Sequence, residues 1–313
     1  MQDIYFKDVE KAQIILNAAS NENNAKLSQA VLQNTSYLDS IGIQRLQINV
    51  SAPVNISRII EQNKISIALM MHPSVLLDRS GTEFVKNFSS SKYVITIGIK
   101  KELGDKHMNP TEKLLLQNSS GVGILFFVEL SFERGLMNNV AESIDYWFGK
   151  GVKNFILSPV FGIRKTHENN GLFSFSDFSE LYYILQEKAK KSESLKLYFR
   201  QGVSPKTFLF EHPCNAYVCS DNFCHGSKSG LPRKIFIDSQ GDVYPESGRM
   251  HPGLSIGNLF NDTLKDLLTD YYHSQKHSRF VSLCQNVFET YIINCPYPVI
   301  PLTDLLVKES WEN

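Results

Sequence analysis

Residues 234–246 read Lys-Ile-Phe-Ile-Asp-Ser-Gln-Gly-Asp-Val-Tyr-Pro-Glu, and they carry the most informative local pattern of the chain. They are followed by Leu-Ser-Ile-Gly-Asn-Leu at 254–259 and by Thr-Leu-Lys-Asp-Leu-Leu at 263–268. Apolar residues flank Ser-Gln-Gly at 239–241, and this pattern predicts a two-stranded hairpin whose glycine supplies a positive φ. A loop and then a short helix, Leu264–Tyr272, are predicted after the hairpin.

Upstream of this stretch, apolar and β-branched runs alternate with helical segments. The runs are Leu46–Val50, Ile65–Met70, Tyr93–Ile99, Gly123–Glu129, Asn154–Val160 and Leu195–Arg200. The clearest helices between them are Asn138–Gly149 and Asp177–Lys191, with Ser176 and Asp177 predicted as N-caps of the second. This alternation predicts an α/β fold with parallel pairing through right-handed crossovers. An open, doubly wound sheet and a six-strand partial barrel both satisfy it.

The two ends of the chain have a different character. Asp8–Ala18 and Asn24–Ile41 read as amphipathic helices. From Gly202 onward glycine and proline become frequent, which predicts a small, loop-rich domain joined to the rest at Arg200–Lys206.

Charge and hydropathy exclude several function classes. Lys plus Arg and Asp plus Glu both number 32, so no net charge steers the chain to nucleic acid or an anionic membrane. No apolar run reaches the ~20 residues that span a bilayer. The mixed, charged N-terminus lacks the pattern of a signal peptide, so a cytoplasmic protein is expected.

The two halves together resemble a radical SAM enzyme with a C-terminal SPASM domain. That domain carries a hairpin of the form apolar-Asp-x-x-Gly-x-Val-x-Pro-Cys, then an Ile-Gly-Asn-apolar turn and a short helix. This chain has the hairpin at Ile237–Pro245 and the turn at Ile256–Leu259. The resemblance implies a six-unit (β/α) partial TIM-like barrel over residues 1–202 and a degenerate SPASM-like domain over residues 203–313.

The departures from the family concern the cluster ligands. Glu246 stands where the family has a cysteine. Radical SAM chemistry needs three cysteines, spaced CxxxCxxC, after the first barrel strand, yet the corresponding loop Ser51–Ser57 has none and no cysteine precedes Cys214. The family has a Gly-Gly-Glu-like stretch after the second barrel strand, and this chain has Met70–Ser74 there instead. These losses argue against S-adenosylmethionine as a cofactor and against radical SAM catalysis.

All five cysteines lie in the last third of the chain, and an odd number argues against a disulfide framework. One zinc ion or a residual Fe–S cluster is a hypothesis for this region. Its candidate ligands are Cys219, Cys224, Cys284 and Cys295, with His212, Cys214, His225 and His251 as further donors. The alternative is that they are buried, reduced thiols.

Two further sites carry predictions. Arg164, Lys165 and His167 follow the fifth barrel strand and are predicted to bind an acidic peptide; the alternative is a solvated basic loop. Glu246, directly after Pro245, is predicted to be a surface residue. The aromatic residues Phe173, Phe175, Phe178, Tyr182 and Tyr183 are interpreted as core packing rather than a peptide groove.

The resemblance implies a pseudo-radical SAM protein of peptide natural-product (RiPP) maturation systems. Such a protein would bind a precursor peptide, a catalytic radical SAM maturase, or both. Two alternatives stay open: a metal-dependent enzyme that uses a Cys/His site in the C-terminal domain, and a purely structural maturase subunit.

Overall fold

A computed structural model describes residues 5–6, 13–18, 26, 29–30, 33, 37, 45–50, 66–71, 95–118, 124–160, 173–200, 202–212, 216 and 234–312. Its strands are β1 Tyr5–Phe6, β2 Gln13–Ala18, β3 Arg45–Val50, β4 Ser66–Met71, β5 Ile95–Glu102, β6 Ile124–Phe132, β7 Asn154–Pro159, β8 Lys196–Phe199, β9 Ser204–Pro205, β10 Lys234–Ile237, β11 Asp242–Pro245, β12 Gly257–Asn258 and β13 Val299–Ile300. Its α-helices are α1 Pro110–Asn118, α2 Val140–Gly149, α3 Phe175–Ala189, α4 Lys206–Glu211, α5 Leu264–Tyr272, α6 Gln275–Val287 and α7 Leu302–Glu312.

The chain divides into two compact units. The first contains Met1–Val9, Ala68–Pro205 and Tyr297–Pro301, and the second contains Glu10–Ile67, Lys206–Pro296 and Leu302–Asn313. Within the described ranges, no helix is both long and apolar enough to cross a membrane.

The first unit is built on a parallel sheet. Its strand order is β1-β8-β7-β6-β5-β4, and the pairs from β1 to β5 are parallel. Strand β7 is buried along nearly its whole length, as expected for a sheet covered on both faces. The predicted strands and the α/β class with a parallel sheet are confirmed.

Helices α2 and α3 supply apolar residues to this core. Trp147 of α2 is buried, as are Phe178, Leu181 and Leu185 of α3. The α3 N-terminus differs from its prediction, because Ser174 is the N-cap. Its hydroxyl accepts the Asp177 N–H, and the Asp177 carboxylate accepts the Ser174 N–H at 2.7 Å. Asp177 is thus the third residue of a capping box rather than the cap itself.

Two of the five aromatic residues around α3 are core residues, as predicted, and the other three are not fully buried. The Phe173 ring packs edge-on against Phe178 at a centroid distance of 5.6 Å, and Phe178 lies 6.5 Å from Phe199. Phe173 and Phe178 are both buried, whereas Tyr183 is 56% exposed. Phe173 and Phe178 therefore join α3 to the sheet.

The second unit has a mixed sheet in the order β3-β2-β10-β11-β12. Strand β2 pairs parallel with β3 on one side and with β10 on the other. The helix predicted over Asp8–Ala18 is therefore wrong for Gln13–Ala18, which is a strand with two neighbours. Residues 26, 29, 30, 33 and 37 are helical, so the prediction over Asn24–Ile41 holds where that range is described.

Candidate functional site

The predicted hairpin is present, and its turn is closed by an aspartate. Strands β10 and β11 pair antiparallel, with Ile237 opposite Val243. The Asp238 carboxylate accepts the N–H groups of Gln240 at 2.8 Å and Asp242 at 3.0 Å. Gly241 has φ +82°, and a Cβ there would lie 2.9 Å from the Phe260 ring. The turn thus needs glycine for both its conformation and its packing.

The Ile-Gly-Asn turn joins this hairpin as a third strand. Strand β12 pairs antiparallel with β11. The Asn258 side-chain amide donates to the Gln240 carbonyl and to the Asp242 carboxylate, each at 2.9 Å. Gly257 has φ +155°, and a Cβ there would lie 2.4 Å from Leu267 of α5. Hairpin, turn and helix are therefore one packed element.

Glu246 lies at the end of β11, and it is buried rather than exposed as predicted. Only 3% of its surface is exposed, and its φ of +67° places it in the left-handed region. The Lys234 ammonium lies 2.5 Å from Glu246 Oε1. The Thr303 hydroxyl of α7 donates to the same oxygen. An ion pair and a hydroxyl donor explain how this carboxylate stays in the interior, where an unpaired charge would be costly.

The register of the hairpin contains a sequence signal for this pair that the motif pattern alone does not show. Counting outward from the turn, Ile237 faces Val243, Phe236 faces Tyr244 and Ile235 faces Pro245. The next step sets Lys234 against Glu246, and the Glu246 N–H does donate to the Lys234 carbonyl at 2.9 Å. Opposite charges on facing positions are a stabilising cross-strand pair. Thr303, 57 residues further along the chain, carries no such signal.

Cys284 of α6 is an electrostatic neighbour of Glu246. The residue is 1% exposed and forms no disulfide. Burial raises the pKa of the Cys284 thiol well above its usual range, and the Glu246 charge raises the pKa further. In the absence of a metal ion, this environment favours the neutral thiol over the thiolate. Cys295 is also a buried free thiol.

A second buried carboxylate anchors the C-terminal helix beside this region. Asp304 of α7 is 1% exposed and accepts a hydrogen bond from the Arg249 guanidinium at 2.9 Å. The Trp311 indole N–H donates to the Arg249 carbonyl at 2.8 Å. Helix α7 was not predicted, although its apolar positions Leu302, Leu305 and Leu306 recur at helical spacing.

The other predicted site residues have different outcomes. Arg164, Lys165 and His167 lie outside the described residues, as do Cys214, Cys219, Cys224 and His225. In the part of the chain that the structure describes, no group of three or more His, Cys, Asp or Glu side chains could hold a metal ion. Binding by the basic loop and metal binding by the four cysteines stay predictions.

Comparison with known proteins gives a likeness in structure alone. No protein-family model and no curated protein sequence matches the chain. The structure of native anSMEcpe with bound AdoMet is 11% identical, and the match covers 87% of this chain and 83% of that chain with a TM-score of 0.55. A second anSMEcpe structure, with AdoMet and the Kp18Cys peptide, matches over 96% of both chains at 11% identity and a TM-score of 0.56.

Streptococcus suis SuiB bound to precursor peptide SuiA is 15% identical, with 87% of this chain and 67% of that chain covered and a TM-score of 0.59. A further SuiB structure is bound to S-adenosylmethionine. These structures are of the radical SAM/SPASM type. At such low identity the likeness shows a shared fold: this chain has a mixed α/β structure of the kind found in those proteins.

Proposed function

We propose that the chain is a non-catalytic pseudo-radical SAM protein that binds a precursor peptide, a catalytic radical SAM maturase, or both, during peptide modification. The observation that carries the proposal is the buried Lys234–Glu246 pair with its Thr303 donor. By the resemblance of the hairpin, position 246 belongs to a cysteine that binds a cluster. Here the position holds a carboxylate whose charge is already balanced by the protein.

The donor set does not fit the clusters that the fold family implies. Cluster iron takes thiolate ligands, and Ser51–Ser57 offers none. The Glu246 oxygen is engaged by an ammonium and a hydroxyl, and a neighbouring cation opposes the binding of a second cation. Each of these features supports a protein that keeps the fold, lacks cluster ligands and has an internal ion pair at position 246.

The finer architecture is part of the proposal. It comprises a six-unit partial barrel over residues 1–202, a degenerate SPASM-like domain over residues 203–313, and no S-adenosylmethionine cofactor. Arg164, Lys165 and His167 are proposed to contact the peptide. A peptide partner is supported by a structure of the same fold, SuiB, bound to precursor peptide SuiA.

Binding titrations test this function directly. The genes that neighbour the gene of this chain are searched for a short precursor peptide and a radical SAM maturase, and the full chain is titrated separately with each. Saturable binding of either one supports the proposal, and binding of the maturase alone identifies a structural subunit. No binding of either partner contradicts it.

Elemental analysis separates the proposal from a metal-dependent enzyme. The protein is purified without chelators, and zinc and iron are measured per chain. Less than about a tenth of an equivalent of either metal is expected. One equivalent of bound metal in the parent, absent from both the Cys284→Ser and the Cys295→Ser variant, would favour the Cys/His metal enzyme instead.

A further inference from the structure

A cleft of about 620 Å³ opens in the second unit, and neither Lys234 nor Glu246 is among its lining residues. One wall is helix α6, and the others come from the turn Pro252–Leu254 and from α7. Leu254 and Leu283 are buried at its floor, while Gln275, Ser278 and Ser282 are exposed along its side. The cleft thus combines an apolar floor with a polar wall, as peptide-binding grooves do.

The polar wall is one continuous face of α6. Positions 275, 278, 279, 282 and 286 follow the helical repeat, so their side chains project from the same side. The eleven steps from position 275 to position 286, at 1.5 Å each, give this wall a length of about 16 Å. An extended peptide advances about 3.3 Å per residue, so about five residues fit along it.

Arg279 gives the cleft its charge. A Cβ on Gly253 would lie 3.8 Å from Arg279 Nη1, which places the guanidinium beside the turn Pro252–Leu254. No lining residue of the cleft is acidic. Among the described residues the Arg279 guanidinium forms no ion pair, and Gln275, Ser278 and Ser282 make no side-chain hydrogen bond. The wall therefore carries a positive charge and polar groups that are ready for a ligand.

One buried carboxylate, Glu309, binds the lining residue Asn286 and has a second donor as well. Glu309 accepts hydrogen bonds from the Asn286 amide at 3.1 Å and from the Tyr291 hydroxyl at 2.6 Å. It is buried, so it does not reach the open side of the cleft. The charge of Arg279 is therefore not neutralised within the cleft, and an anionic occupant is complementary to it.

We propose that this cleft binds an acidic segment of about five residues from the partner peptide, with Arg279 holding a carboxylate and the two leucines receiving an aliphatic side chain. A planar guanidinium suits a carboxylate because it can donate two parallel hydrogen bonds. The exposed amide and hydroxyl groups of α6 are placed to bind the peptide backbone. This inference rests on the proposed function, since it assigns the peptide a site on the chain.

The test uses a fluorescein-labelled ten-residue peptide in which two glutamates alternate with leucines. Its partner probe has glutamine in place of each glutamate. The full chain is expected to bind the glutamate peptide at least tenfold more tightly, and this preference should shrink as salt is raised because exposed charges are screened. Equal binding of the two peptides would overturn the site.

Variants then test whether the peptide binds in this cleft. Arg279→Gln is expected to weaken binding of the glutamate peptide about tenfold, and Arg279→Lys less, because lysine keeps the charge without the paired donors. Lys265→Gln on α5 removes the same charge from an exposed position outside the cleft and should leave binding unchanged. Arg279 is exposed, so thermal unfolding of all three variants should match the parent. An equal loss in Lys265→Gln would show a general charge effect and overturn the site.

The outcomes separate this inference from the proposed function. If the precursor peptide binds the parent and the Arg279→Gln variant equally, the site is wrong while the function stands. If the chain binds the glutamate peptide but neither the precursor peptide nor the maturase, the proposed function fails, and with it the identity of the occupant.

Discussion

The Nζ atom of Lys234 lies 2.5 Å from Oε1 of Glu246, in a pair whose side chains are 13% and 2% exposed. The same separation joins Lys190 to Glu187, whose side chains are 57% and 71% exposed. Identical distances in such different surroundings make the two pairs a natural comparison. Burial, and not distance, decides how much the free energy of unfolding falls when one partner of each pair is removed.

Removing one charge of the buried pair is expected to destabilise the second unit strongly. Glu246→Gln leaves the Lys234 ammonium buried without a counter-charge, and should lower the free energy of unfolding by about 3 kcal/mol. The double variant Lys234→Met/Glu246→Gln removes both charges and should recover most of that loss. Urea unfolding followed by circular dichroism measures both values.

Glu187→Gln is the matched control for this experiment. Its carboxylate is exposed, so the free energy of unfolding should stay within experimental error of the parent. If Glu246→Gln also leaves the free energy of unfolding unchanged, Glu246 is not a buried, paired carboxylate.

Tyr271 carries a buried hydroxyl that should cost stability. Within the described part of the chain, the hydroxyl oxygen has no hydrogen-bond partner, and the residue is 2% exposed. Tyr271→Phe removes the unsatisfied group and keeps the ring, so it should raise the free energy of unfolding by about 1 kcal/mol. Tyr291→Phe deletes a hydroxyl that donates to Glu309 at 2.6 Å, and it should lower the free energy of unfolding. The same sign for both variants would contradict this assignment.

Alkaline pH should destabilise the fold. Burial raises the pKa of the Tyr271 and Tyr272 phenols and of the Cys284 thiol. In the unfolded chain these groups titrate near their ordinary values, about 10 for tyrosine and about 8.5 for cysteine. Above those values the unfolded state loses protons that the folded state keeps, so stability that is full below about pH 8 falls as pH rises.

Urea unfolding at a series of pH values from 7 to 11 measures this fall. Cys284→Ala should flatten the part below about pH 10, where the thiol of the unfolded chain titrates and tyrosine does not. A free energy of unfolding that stays level over the whole range would show that these groups are not protected from ionisation in the fold.

The Ile-Gly-Asn turn should not tolerate a side chain at its glycine. Gly257→Ala puts a Cβ 2.4 Å from Leu267 at a φ of +155°, and should lower the free energy of unfolding by about 2 kcal/mol or more. Gly149→Ala in helix α2 meets open space and should be neutral or stabilising, because alanine favours a helix. The midpoint of urea unfolding distinguishes them, and equal midpoints would contradict the close packing of β12 on α5.

Local patterns in the sequence were enough to predict strands β4 to β8, the hairpin and helix α5. Each of these depends on residues within a short window, such as the apolar run Asn154–Val160 or the turn at Gly241. The helix predicted over Asp8–Ala18 failed for the opposite reason. Gln13–Ala18 is a strand because it pairs with Lys234–Ile237, more than 200 positions away, and periodicity carries no record of such a partner.

The same contrast holds at the candidate site. The facing positions of Lys234 and Glu246 follow from hairpin register and could have been found by counting. The burial of Glu246 could not, because it depends on Thr303 of α7, which is distant in the sequence. The resemblance predicts that Glu246 stands at the position of a cluster ligand, and the structure shows Glu246 in an interior ion pair with Lys234.

The measurement that most directly tests the non-catalytic function is S-adenosylmethionine cleavage by anaerobically purified protein. The chain is treated with iron and sulfide, iron and acid-labile sulfide are measured per chain, and methionine release is followed under reduction with dithionite. We expect no stoichiometric [4Fe–4S] cluster and no methionine above the level without protein, because Ser51–Ser57 offers no thiolate and Glu246 is paired with Lys234. A stoichiometric cluster together with methionine release that depends on the protein would contradict the account.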